Sequence, residues 1–93
     1  MRAIERTKAF KRDYRRVLAN PRHRDINELL PLVLALLASD TPLPPKFVDH
    51  PLRGEWKMFR DCHIKPDLLL IYRKMGSDVL QIIRLGSHSE IGF

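Results

Sequence analysis

Trp56-Lys57-Met58-Phe59-Arg60-Asp61-Cys62-His63-Ile64, then Lys65-Pro66-Asp67, then Leu68-Leu69-Leu70-Ile71-Tyr72 is the stretch on which the fold turns. Its first part alternates. Trp56, Met58, Cys62 and Ile64 share one side, and Lys57, Phe59, Asp61 and His63 the other, as in a strand with one buried face. Its last part is apolar without a break, which predicts a central strand covered on both sides. Gly76-Ser77-Asp78 reads as a turn, and Val79 to Leu85 as a third strand. Neighbouring strands joined by such short turns predict an antiparallel meander.

Two helices precede it. Thr7 is a candidate N-cap, and Phe10, Tyr14, Val17 and Leu18 form one apolar stripe ending at Asn20-Pro21. A second helix is predicted from Asp25 or Asn27 to about Ser39, so apolar (Ile26, Leu29, Leu30, Val33, Leu36, Leu37) that more than one side must be covered. Ala3 to Arg6 suits a short strand. Asp40 to Gly54, with Pro42, Pro44, Pro45 and Pro51, is a long irregular connector and thus a candidate functional loop; it delivers His50. The expected architecture is one α+β domain over residues 1–93, with two N-terminal helices packed on a small antiparallel β-sheet.

Charge narrows the function classes. Residues 1–24 carry nine Lys or Arg against Glu5 and Asp13, a balance of +7, whereas residues 25–93 balance at −1. A cationic segment on a nearly neutral body points to a polyanionic partner, with Lys8, Lys11, Arg12, Arg15 and Arg16 along the first helix as RNA contacts. The longest apolar stretch, Leu29 to Ala38, is half of a membrane span and holds Pro31. A lone cysteine, Cys62, and the lack of a secretory h-region lead to a cytoplasmic expectation, without a membrane partner.

The polar residues that interrupt the strands carry the chemistry. Lys57, Asp61 and His63 share a strand face, Arg60 lies among them, Asp67 opens the next strand and Arg84 closes the third. His50 and His88 flank the sheet in sequence. Strands about 4.8 Å apart could bring these groups to one edge. Imidazole gives and takes protons near neutral pH, and Lys57, Arg60 and Arg84 suit a phosphoryl group. Such a set cleaves RNA without a metal or other cofactor. Each residue also has a plainer reading: Asp61-x-His63 as a solvated face, Arg84 paired with Asp67 in a salt bridge, Trp56 and Phe59 as core rather than a base-stacking platform, and His23 as a surface residue between the helices.

Asp49-His50-Pro51-Leu52-Arg53-Gly54-Glu55-Trp56, Arg60-Asp61-Cys62-His63-Ile64-Lys65-Pro66-Asp67 with its apolar run, and Arg84-Leu85-Gly86-Ser87-His88 together resemble the YafQ branch of the RelE-like bacterial toxins. The resemblance implies the RelE-like microbial ribonuclease fold. It implies a ribosome-dependent mRNA interferase, the toxin of a type II toxin–antitoxin pair, that cuts mRNA in the A site of the 70S ribosome by attack of the ribose 2′-hydroxyl. Carried over by position, it puts active-site roles on His50, Asp61, His63, Asp67 and His88, with His88 as general acid, and phosphate contact on Arg84. The basic first helix would then meet ribosomal RNA. The family's aromatic after the last histidine falls on Gly92, and Phe93 stands one residue later as the candidate substitute for it. The implied partner is a DinJ-like antitoxin, through which alone operator DNA is bound, and the over-apolar second helix suits such a partner. The competing reading is a non-catalytic RNA-, ribosome- or partner-binding module.

Overall fold

The uninterrupted run Leu68–Tyr72 becomes the middle of the sheet. In the computed structural model, which describes residues 1–92, the elements are β1 (Ala3–Arg6), α1 (Lys8–Ala19), α2 (Ile26–Ala38), β2 (His50–Pro51), β3 (Arg60–Lys65), β4 (Leu68–Met75), β5 (Val79–Gly86) and α3 (His88–Ile91). The strand order is β1-β5-β4-β3-β2. β3 to β5 form the expected antiparallel meander, but His50–Pro51, read as part of an irregular connector, adds a two-residue antiparallel strand, and β1 joins β5 in parallel, so the sheet is mixed. The first alternating segment is shorter than its pattern suggested. The strand begins at Arg60, because Gly54 adopts φ +65° and starts a 3-10 turn that holds Trp56.

Both N-terminal helices lie on one face. α1 contributes Phe10 and Val17, and α2 contributes Ile26, Leu30, Val33 and Leu37, to a core completed by Cys62, Ile64, Leu70, Tyr72, Leu80, Ile82 and Leu85. Leu18, placed in the apolar stripe by its spacing, is 44% exposed, while Asp13 within that stripe is fully buried. Between α1 and α2 runs a groove of about 690 Å³, with Phe10, Leu30 and Leu34 in its walls and Arg2, Arg6, Lys11 and Arg15 among its lining. Among the described residues no helix is long and apolar enough to cross a membrane. The opposite face carries a smaller cluster of Leu69, Ile71 and Ile91, against which Leu52, Trp56, Phe59 and Ile83 pack. Trp56 and Phe59 are thus half-buried against this smaller cluster, and their rings meet edge to face at 5.6 Å.

A bulge reverses the alternation of β5. Ile71 pairs with Arg84 and Tyr72 with Ile82, which leaves Ile83 as one extra residue. Leu80, Ile82 and Leu85 can then all enter the main core, although their numbers change parity.

The bulge lies where β5 loses its outer neighbour, since the β1 pairing ends at Arg6↔Ile82. Side chains of α1 and its cap replace the missing strand. Thr7 Oγ1 donates to Ile83 O at 2.8 Å, Arg16 Nη2 donates to Leu85 O at 3.0 Å, and Leu85 N–H donates to Asp13 Oδ2 at 3.0 Å. Buried backbone groups need such partners.

Candidate active site

His50, Asp61, His63 and His88 come from three separate stretches, β2, β3 and the start of α3, and meet on the sheet face opposite α1 and α2. Pairing does most of the work. His50 on β2 is directly opposite Asp61 on β3, and His63 lies two residues further along β3, opposite Leu69, which in turn pairs with Gly86 on β5. Two residues beyond Gly86, His88 opens α3. The His63 ring sits between the other two, with ring centres 6.4 Å from His50 and 6.1 Å from His88.

His50 is oriented by the proline-rich connector. Pro45–Phe47 forms a 3-10 turn closed by Val48 in the left-handed region (φ +47°), a strained conformation for a β-branched residue. That turn aims the Val48 carbonyl at His50 Nδ1, 2.8 Å away. A carbonyl only accepts, so this nitrogen carries a proton and Nε2 faces Asp61 Oδ1 at 3.1 Å. That contact lacks the alignment of a directed hydrogen bond. Among the described residues, Asp61 Oδ1 is thus buried without a hydrogen-bond donor. Burial raises the Asp61 pKa, against the opposing pull of His50, His63 and His88. A 1% exposed carboxyl ringed by three imidazoles is a proton-exchanging arrangement. His63 makes no hydrogen bond among the described residues, so its nitrogens are open to a ligand.

His88 is the first residue of a four-residue helix, which would fray if isolated. A capping box holds it. Ser87 Oγ accepts from Glu90 N–H at 3.2 Å, and Glu90 Oε1 accepts from Ser87 N–H at 2.9 Å. Glu90 Oε2 meets Arg16 Nε at 3.1 Å, and Arg16 Nη1 reaches Asp13 Oδ1 at 3.1 Å. Asp13 also accepts from Arg84 Nε at 2.6 Å. Although burial alone would raise its pKa, the Arg84 and Leu85 hydrogen bonds and the charges of Arg84 and Arg16 hold it below the ordinary value of 3.8.

Several sequence expectations are corrected by these positions. Arg84 pairs with Asp13 instead of Asp67, through Nε at 2.6 Å and Nη2 at 3.4 Å. Asp67, at the β3–β4 turn, is bound by Arg22 at 2.9 Å and points to the helical link, not into the imidazole cluster. Arg60 shares its face with Tyr72, and Asp49 receives both Arg60 (3.4 Å) and the Tyr72 hydroxyl (2.5 Å). It therefore lies on the helix side of the sheet, away from Asp61. Lys57 is exposed in the turn before β3. Lys8, Lys11, Arg12 and Arg15 are exposed on α1, but Arg16 is spent on Asp13, Leu85 and Glu90 and is no free RNA contact. His23 is buried, with Nδ1 lacking a partner among the described residues, because the Pro21–His23 turn tucks it inward. Phe93 lies outside the described residues.

Two residues of the site's support escaped the sequence reading. Asp13 left a trace, as an acid inside the stripe Phe10-x-x-x-Tyr14-x-x-Val17, where a charge is retained only if paired. The other trace was Ser87-x-x-Glu90, a readable capping box beside His88.

Residues 2–92 match the model of a family described as the bacterial toxin of type II toxin–antitoxin system, YafQ. The mRNA interferase toxin YafQ of Escherichia coli (strain K12) is 40% identical over 90 residues, 97% of this chain and 95% of that protein. The crystal structure of YafQ from E. coli strain BL21(DE3) superposes with a TM-score of 0.83 at 37% identity, covering 100% of both chains. A chain of the E. coli DinJ–YafQ complex superposes at 0.78 with 39% identity, again over 100% of both. With its α+β fold, its histidine cluster and a match along almost its whole length, this chain belongs to the YafQ family of type II toxin–antitoxin toxins.

Proposed function

We propose that the protein is a ribosome-dependent endoribonuclease that cleaves mRNA in the A site by metal-independent acid–base chemistry, and so stops translation. The observation that carries the reading is the buried Asp61 carboxyl encircled by His50, His63 and His88. His63, with both ring nitrogens open, takes the proton of the ribose 2′-hydroxyl. The 2′-oxygen attacks the adjacent phosphorus, the P–O5′ bond breaks, and His88 gives its proton to the departing 5′-oxygen. The products are a 2′,3′-cyclic phosphate and a 5′-hydroxyl. Asp61 and the Val48 carbonyl hold the His50 ring, whose Nε2 and Nδ1 they face, and His50 orients the ribose and phosphate. Separate rings for base and acid suit an in-line displacement, in which the two protons move on opposite sides of phosphorus.

The exposed cations of α1 support contact with ribosomal RNA, a salt-sensitive attraction indifferent to sequence. The E. coli relatives' names, mRNA interferase toxin and DinJ–YafQ complex, support the mRNA substrate and a DinJ-like antitoxin partner.

Primer extension on translating ribosomes, with the natural protein and with His88→Ala, tests the reading. Codon-spaced cuts are expected from the former. General acid loss should lower the rate by roughly 10²–10⁴-fold with ribosome binding retained. No cuts from the natural protein would leave a binding module, and cutting unaffected by His88→Ala would remove the acid assignment.

A further inference from the structure

The link from α1 to α3 has no role in proton transfer, yet it terminates next to a residue that does. Glu90 uses one carboxylate oxygen for the Ser87 amide and the other for Arg16 Nε at 3.1 Å. Arg16 spends its remaining nitrogens on Asp13 and on the last core carbonyl of β5, Leu85 O. The anchor beneath both is Asp13, at 0% exposure. Packing at this seam is tight. A Cβ added to Gly86 would stand 2.8 Å from Arg16 Nη2 and 3.2 Å from Glu90 Oε1. The chain between Leu85 and Glu90, which includes His88, is thereby held at both ends by one guanidinium.

We propose that Arg16 and Glu90 are positioning residues that fix His88 for proton donation to the leaving oxygen. The proposal rests on the assignment of His88 as general acid and deepens it. A four-residue helix has too few internal hydrogen bonds to hold a ring to the fraction of an ångström that proton transfer requires. The buried Asp13 supplies a fixed reference, and Arg16 transmits it to the helix through Glu90. A basic residue that looks like one more RNA contact thus works inward, not outward.

The test exploits the leaving group. Ribosome-bound mRNA carrying a single 5′-S-phosphorothiolate at the cleavage site releases a thiolate, which departs without a general acid, so defects confined to acid placement disappear on it. Glu90→Gln keeps an acceptor for the Ser87 amide but loses the charge facing Arg16. Gly86→Ala perturbs the same seam without removing any charge. On natural mRNA both variants should cleave at least about tenfold more slowly with KM unchanged, and both should recover on the phosphorothiolate, as His88→Ala does. Full activity of both variants on natural mRNA overturns the proposal. So does slow cleavage on both substrates while His88→Ala recovers on the thio-linkage, since the seam would then serve folding or binding. Failure of His88→Ala itself to recover refutes the acid assignment, and this inference falls with it.

Discussion

Asp13→Asn is the substitution whose cost can be worked out most fully. Asp13 Oδ2 accepts from Arg84 Nε (2.6 Å) and Leu85 N–H (3.0 Å), while Oδ1 accepts from Arg16 Nη1 (3.1 Å). An asparagine has one acceptor oxygen. If it takes the Oδ2 position, its amide confronts the Arg16 guanidinium; if it takes the other, its amide confronts Arg84 and the Leu85 N–H. Either way donors face donors in a buried setting. Removing one member of a buried ion pair costs about 3–5 kcal/mol. The Arg84 and Arg16 side chains keep 18% and 39% exposure, so water offsets part of the loss. A destabilisation of about 3 kcal/mol is expected, or roughly 15 °C in Tm for a domain of this size. Urea unfolding followed by circular dichroism measures it. The pH dependence is a second check. The folded-state pKa of Asp13 is depressed, so its contribution is complete above the unfolded value of 3.8 and is lost as pH falls through the folded value. The gap between the two proteins should hold from pH 7 to 5 and narrow below about pH 4. A gap under about 1 kcal/mol at pH 7, or one unchanged at pH 3, would refute the argument.

Asp61 has the opposite sign. Burial raises its pKa, so ionisation costs stability above the folded value and costs nothing below 3.8. Asp61→Asn should therefore melt higher than the natural protein at pH 7.5, with the difference closing toward pH 4, while cleavage falls; a lower Tm at pH 7.5 would contradict this. Val48→Gly should raise stability by about 0.5 kcal/mol, because glycine relieves a left-handed strain of roughly 1–2 kcal/mol and partly returns it as unfolded-chain entropy. Val48 is 50% exposed, so little burial is lost, and a destabilisation above about 1 kcal/mol would count against the strain. The buried Cys62 thiol, its pKa raised by burial first and by the charges of Asp49 and Asp61, should react with a thiol reagent at pH 8 only as fast as the protein unfolds. Rapid labelling of the native protein would show that the core opens locally.

The local patterns were legible because they reflect what short-range physics allows. Uninterrupted Leu68–Tyr72 had to be central, Thr7 had to cap α1, and Asp61 and His63, two apart on one strand, had to share a face. The apolar reading of α2 held on one side only: Ile26, Leu30, Val33 and Leu37 are inside, Leu29 and Leu36 are half-buried, and Leu32 is 63% exposed, so the second covered side is not there in this chain alone. The composite pattern from Asp49 to His88 was enough to identify the family. It was not enough to say which charged residue meets which.

Pairing across the molecule was decided only by tertiary structure. The bulge at Ile83 changes which side of β5 each residue takes, and no periodicity announces one extra residue. It allows Arg84 to meet Asp13, 71 positions away, and Asp67 is left to Arg22. Arg60 and Asp61 are neighbours in the chain yet lie on opposite sheet faces, one with Tyr72 and one with His50. A side chain's own character settles whether it seeks water, core or a strand. Its partner depends on register and on which helix covers an open edge, and those follow from the packing of the whole chain at once.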